Sequence, residues 1–153
     1  MPLAPKPVDF PRIRGAVKFY QVASIITGTL LLALCAEMLL KYVWGLEIEL
    51  GGPAGFLALV PVDTVTAVNV STGILIVHGW FYVVYLFSDF RLWSLMRWPF
   101  TRFIVIALGG IIPFLSFFLE GRIAREVTAY LASREADDAT SPVQGAPSVE
   151  AAP

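Results

Sequence analysis

The residues that could carry chemistry in this sequence form one polar row in the middle of the chain. The row consists of Ser71, His78, Tyr82, Tyr85 and Asp89. Its spacing of three, four or seven residues places all five side chains on one face of a helix. Histidine gains and loses a proton readily near neutral pH, so the row could relay protons. The alternative is that His78 simply forms a hydrogen bond with a neighbouring helix.

Two further sequence features could have a functional role. Glu37 and Lys41 are one helical turn apart, and this spacing favours a self-neutralising ion pair over a functional ion site. Gly109 and Pro113 lie inside a third apolar stretch. Proline has no backbone donor, so we expect a bend there and a free carbonyl at Gly109, with His78 as its first candidate partner.

The inventory of reactive groups argues against an enzyme. One histidine cannot supply the three or four ligands of a zinc site, and a haem held by two histidines would require two copies of the chain. Cys35 is the only cysteine, and no nucleophile has a base beside it. The net charge of −1 provides no field for nucleic acid. We therefore expect no metal, no cofactor, no nucleic-acid partner and no catalytic activity.

Composition indicates the surroundings in which these residues must be positioned. Of the 153 residues 57% are apolar and 15% charged, against about 25% charged in an ordinary soluble domain. A soluble domain of this size still exposes roughly a third of its unfolded surface to water. That much apolar surface requires lipid as its solvent. The sequence therefore predicts an all-α membrane protein.

The apolar stretches predict a three-transmembrane-helix bundle. The first stretch is too long for the core of a cleaved signal peptide, so we expect it to be retained. Between the first two spans, residues 51–62 are apolar but broken by glycine and proline, which predicts an interfacial loop. The predicted segments are a basic, proline-rich, irregular lead-in (1–18), spans at about 19–46, 65–88 and 100–119, a helical extension (121–136) and a disordered tail (137–153).

The distribution of charge and aromatic rings predicts an orientation. No lysine or arginine occurs between Leu46 and Asp89, so this connection should lie outside and the N-terminus in the cytoplasm. Three spans would then place the C-terminus outside, together with its arginines. An interfacial belt of aromatic residues is expected at Tyr20, Tyr42, Trp44, Trp93 and Trp98.

Three short motifs carry a family resemblance. They are Leu40-Lys41-Tyr42 at the end of the first span, His78-Gly79 followed by aromatic residues in the second, and Pro113-Phe114 in the third. With these motifs the chain resembles, over residues 18–120, the small integral membrane proteins of actinobacteria and other bacteria classified as domain of unknown function 3817. The resemblance implies a three-span fold in the bacterial plasma membrane and no established reaction.

The chain departs from that family's pattern in the first span. Thr27-Gly28 stands where the family usually has Glu-Gly, and Leu39 stands where it has a proline. The connection between the first two spans is also longer than usual. If the family's glutamate serves a shared activity, this chain lacks that activity or uses Glu37 instead.

Two functions remain open. Three helices have limited capacity to bury a full-length polar row, which favours a non-enzymatic accessory or scaffold subunit that forms a homo-oligomer or joins a larger membrane complex. The alternative is a small oligomeric transporter or proton-conducting unit with a path lined by Glu37, His78, Tyr82 and Tyr85.

Overall fold

The computed structural model describes residues 5–140. It contains four α-helices and three short β-strands. The helices are α1 (Phe10–Leu39), α2 (Val70–Met96), α3 (Phe100–Leu108) and α4 (Leu115–Thr140), and the strands are β1 (Leu46–Gly52), β2 (Gly55–Pro61) and β3 (Val68–Asn69).

The first helix begins inside the segment that we expected to be irregular. A 3-10 turn at Pro7–Asp9 leads directly into α1, and a proline occupies the first turn, where its missing N–H leaves no hydrogen bond unmade. At the other end α1 widens into a π-helical turn, Leu40–Trp44, which stops at Gly45 in the left-handed conformation with φ +67°. The helical run Pro7–Trp44 is long and apolar enough to cross a membrane.

The second long helix runs antiparallel to the first. The Asn69 side chain caps its start by accepting a hydrogen bond from the Thr72 amide at 3.1 Å. Thr27 bonds the Phe81 carbonyl, and further along α1 Glu37 meets Ser71, so the sequence numbers of contacting residues run in opposite directions. Within residues 5–140, Val70–Met96 is the other helix that is long and apolar enough to span a membrane.

The connection between these helices is a small β-sheet, so the predicted interfacial loop, and with it the all-α class, is wrong here. The strand order is β2-β1-β3, and both pairings are antiparallel. The glycines and proline that indicated a loop lie in the hairpin turn, where Gly52 pairs with Gly55, and at a strand end, Pro61. They therefore interrupt no ladder hydrogen bond in a strand interior.

The third apolar stretch forms a helical hairpin, so the predicted continuous helix over 100–119 is wrong and the three-span bundle is not confirmed. The α3 helix has nine residues and rises about 13 Å, less than half of a bilayer core about 30 Å thick. The chain turns at 109–114, and α4 returns antiparallel to α3, as the ion pair between Arg102 and Glu126 shows.

The returning helix packs along α1. Ser24 donates a hydrogen bond to the Ser116 carbonyl at 3.3 Å, and Arg14 forms an ion pair with Glu135 at 2.6 Å. A Cβ at Gly28 would collide with Ser116 and with the ring of Phe117, so glycine allows this close approach. The end of α4 therefore lies beside the start of α1, not at the opposite end of the molecule as three spans would require. Residues 137–140 are helical, and the rest of the predicted disordered tail lies outside the described residues.

Candidate functional site

The polar row on α2 faces the other helices. Ser71, Tyr85, Ser88 and Asp89 are buried, and His78 and Tyr82 are half-buried. The opposite side of α2 is exposed and apolar, with Ile76, Trp80, Val83 and Phe87. The end of α3 covers the row at Tyr82 and Tyr85, so this chain itself buries part of what we expected a partner to bury.

Two tyrosines of the row bond the end of α3. The Tyr85 hydroxyl donates to the Ile106 carbonyl at 2.5 Å, and the Tyr82 hydroxyl donates to the Ala107 carbonyl at 3.3 Å. Both carbonyls also accept backbone N–H bonds in the tightened last turn of the helix, from Gly109 at 2.8 Å and from Gly110 at 3.2 Å, so each tyrosine is a second donor. They fix the tip of the hairpin to α2.

This arrangement corrects the expected bond between His78 and Gly109. The prediction assumed a bent but continuous helix, in which Pro113 would free the Gly109 carbonyl. The α3 helix instead ends at Leu108, and the two tyrosines reach carbonyls of its last turn. Gly110 packs against the ring of Tyr82, where a Cβ would not fit.

His78 lies beside the tyrosines without a hydrogen bond to its buried nitrogen. Its ring stacks on Tyr82 with centroids 6.3 Å apart. The Nδ1 atom is buried and has no hydrogen-bond partner in the described part of the chain. A buried nitrogen without a partner costs about 1 to 3 kcal/mol, so His78 is a position at which a further hydrogen-bonding group would be stabilising.

Glu37 and Lys41 do not pair with each other, so the predicted ion pair is wrong. Glu37 turns inward, is 5% exposed and accepts a hydrogen bond from the Ser71 hydroxyl at 2.6 Å. The Lys41 ammonium instead bonds Glu47 on β1 at 2.8 Å. The helix widens into a π-turn from Leu40, which rotates Lys41 away from the face that Glu37 occupies.

Asp89 and Tyr20 are two buried polar groups whose shared lack of hydrogen-bond partners was not predicted from the sequence. Neither carboxylate oxygen of Asp89 has a hydrogen-bond partner within residues 5–140, and the same holds for the Tyr20 hydroxyl. Tyr20 packs on Tyr85 with ring centroids 5.8 Å apart, deep in the core and not in the expected interfacial belt.

The sheet contains a second set of buried carboxylates. Glu49 accepts hydrogen bonds from the backbone amides of Thr66 and Ala67 at 2.5 and 2.7 Å, and these bonds lower the pKa of its carboxyl group. The hydrogen bond from Lys41 likewise lowers the pKa of Glu47. Both glutamates hold the segment before β3 against β1. No structural role was predicted for either glutamate from the sequence.

The described residues bring no three histidine, cysteine, aspartate or glutamate side chains together as a metal site. The arrangement provides hydrogen bonds and close contacts that join α1, α2 and the hairpin. In the described residues it also leaves buried side-chain atoms without a hydrogen-bond partner at five positions: Tyr20, His78, Asp89, Trp93 and Ser116.

The comparisons with known proteins identify a family without a known activity. The profile described as Domain of unknown function (DUF3817) matches residues 17–125. Uncharacterized proteins of Mycobacterium tuberculosis and Mycobacterium bovis are 33% identical over 118 residues, which is 77% of this chain and 81% of theirs. An uncharacterized protein of Mycobacterium leprae is 30% identical over 112 residues, 73% of this chain and 75% of its own. No solved structure shows significant similarity. These matches confirm the resemblance carried by the three motifs, and the chain belongs to the DUF3817 family.

Proposed function

We propose that this protein is a non-enzymatic accessory or scaffold subunit of a complex in the bacterial plasma membrane. In this proposal α1 and α2 cross the bilayer, and the α3–α4 hairpin enters from the cytoplasmic side and returns to it. The two helices long and apolar enough to span a membrane support the two crossings. The contacts of α4 with α1 support the return of the chain.

The distribution of basic residues supports a cytoplasmic N-terminus. The residues at the end of the molecule where α1 begins include Arg12, Arg14, Lys18, Arg91, Arg97, Arg102, Arg122, Arg125 and Arg134. The sheet connection at the other end has no lysine or arginine from Leu46 to Asn69. With the hairpin returning, the arginines of α4 join the cytoplasmic group, whereas three spans would place them outside.

One observation carries the scaffold role: the face of α1 that α4 covers continues beyond the hairpin without cover. Gly28 packs against the start of α4, and at helical spacing along the same face Leu32, Cys35 and Leu39 border an apolar recess of about 680 Å3. Pro113 and Phe114 of the hairpin tip border the same recess. A helix of a partner subunit would extend the bundle where this chain's own hairpin stops.

Photocrosslinking tests this proposal. A photoreactive amino acid at Leu39 lies at the recess, and one at Ile76 lies on the exposed side of α2 as a matched control. We expect protein adducts from Leu39 and lipid adducts alone from Ile76. Lipid adducts alone from both positions would contradict the scaffold role.

A second function has one observation in its favour. Two buried carboxyl groups, Glu37 and Asp89, lie toward opposite ends of the row that contains His78, as a proton-conducting unit would require. However, the tyrosine hydroxyls between them are bonded to backbone carbonyls. Replacing His78 with glutamine keeps a donor and an acceptor but removes titration.

The two functions predict different results for His78→Gln. The scaffold role predicts unchanged assembly, and wild-type proteoliposomes without proton flux. Wild-type flux that the substitution abolishes while assembly survives would favour the conducting unit instead.

A further inference from the structure

We propose that a groove on the exposed face of α2, bordered by Arg12 of α1 at the cytoplasmic end, binds the phosphate headgroup of an anionic phospholipid. The inference rests on the membrane placement given under the proposed function. It adds a ligand class and a site that are separate from the partner recess near Leu39.

The groove combines cationic, hydroxyl and apolar groups from two helices. Arg12 of α1 and Arg91 of α2 lie at the groove with Ser94, and Phe87, Phe90 and Leu95 complete its lining. Together these residues border an open depression of about 530 Å3. The α2 residues Phe87, Phe90, Arg91 and Ser94 recur at three- and four-residue spacing, so one face of the helix presents them together.

Both guanidinium groups are available to a ligand. Arg91 has no ion-pair partner in the described part of the chain, and Arg12 has only an exposed contact with Asp9 at 3.8 Å. Other arginines at this end are engaged, since Arg14 pairs with Glu135 and Arg102 with Glu126. Arginine suits a phosphate because its planar group donates two parallel hydrogen bonds.

The apolar lining favours a phospholipid over free phosphate. Phe87 and Phe90 are 61% and 51% exposed and lie on the side of Arg91 toward the apolar middle of α2. A lipid bound at the arginines would therefore place its acyl chains along these rings, whereas inorganic phosphate would use the arginines alone. Basic residues at the cytoplasmic membrane surface attract anionic headgroups in this way.

Lipid retention measures the proposed site directly. The full-length protein is reconstituted in nanodiscs with equal amounts of phosphatidylcholine and phosphatidylglycerol, released into mild detergent, and its bound lipids are counted by native mass spectrometry. We expect wild type to retain phosphatidylglycerol selectively. Because each basic residue near a membrane surface contributes modestly, Arg12→Gln or Arg91→Gln should reduce that selectivity about fivefold, and the double variant about thirtyfold.

Matched controls separate this site from general charge. Arg134→Gln removes the same charge at the same end of the molecule but does not line the groove, and it should retain the lipid as wild type does. Equal losses in the Arg134 and Arg91 variants, or no selectivity in wild type, would overturn the proposal.

Displacement of the lipid by millimolar inorganic phosphate would assign the site to free phosphate instead. If the protein inserts as a monomer with two spans but shows no lipid selectivity, the lipid site is wrong and the membrane placement stands. If the protein fails to insert, the proposed function itself is wrong.

Discussion

At the scale of single residues, tyrosine has the role that the sequence suggested for histidine. Tyr82 and Tyr85 reach the last carbonyls of α3, and the His78 ring stacks beside them. Periodicity correctly predicted that these residues share one inward face. It could not predict which carbonyl each side chain would bond, because the position at which α3 ends decides which carbonyls the tyrosines reach.

The Tyr85 bond to α3 should contribute measurably to stability. Tyr85→Phe removes the hydroxyl but keeps the ring in its buried position, so the Ile106 carbonyl loses one of its two donors and keeps the Gly109 amide. We expect the free energy of unfolding to fall by about 0.5 to 1.5 kcal/mol, measured by detergent-induced unfolding. Tyr42→Phe is the control because Tyr42 is exposed. An equal effect of both substitutions would contradict the role given to Tyr85.

The Glu49 carboxylate should make the sheet sensitive to acid. Its pKa lies below the ordinary value of 4.5 because the Thr66 and Ala67 amides bond the charged form. A lowered pKa in the folded state stabilises the protein above pH 4.5, and this stabilisation is lost as the pH falls through the lowered value.

Hydrogen exchange tests that effect. We expect the amides of Thr66 and Ala67, after correction for intrinsic rates, to lose protection as the pH falls below about 4.5, whereas α2 stays protected. Glu49→Gln should remove most of the pH dependence of that protection. Retention of the full pH dependence in this variant would show that another group is responsible.

At the scale of elements, long apolar runs were sufficient to locate α1 and α2, while the sheet and the hairpin were missed. The strand residues alternate between buried glutamates and partly buried leucines and isoleucine in β1, but the nearby glycines and proline suggested a loop. The third apolar stretch was long enough to span. Only its tertiary contacts with Tyr82, Tyr85 and Ser24 show that the chain turns back within it.

The packing of α4 on α1 should depend on the glycine at their contact. Gly28→Leu would place a side chain against Ser116 and Phe117, and overpacking of this kind costs about 1 to 3 kcal/mol. We expect α4 to separate from α1 and become accessible to protease. Gly79→Leu is the matched control, since a Cβ at Gly79 meets no atom within 4 Å. Equal protease resistance of the two variants would argue against the close contact.

At the scale of the whole molecule, we propose two membrane crossings and a hairpin that returns to its starting side. This arrangement explains why arginines occur in α4 as well as at the start of α1, and why α4 pairs with the first turns of α1 through Arg14 and Glu135. The family match gives the class of protein, but its relatives are uncharacterized, so the role rests on the architecture.

The side of the membrane reached by α4 tests this account most directly. In a Cys35→Ser background, single cysteines are placed at Val8, Thr64 and Ser133, and intact cells are treated with a membrane-impermeant thiol reagent. We expect labelling from outside at Thr64 alone, with Val8 and Ser133 labelled only after the cells are opened. Labelling of Ser133 from outside, together with Thr64, would contradict the hairpin and restore three spans.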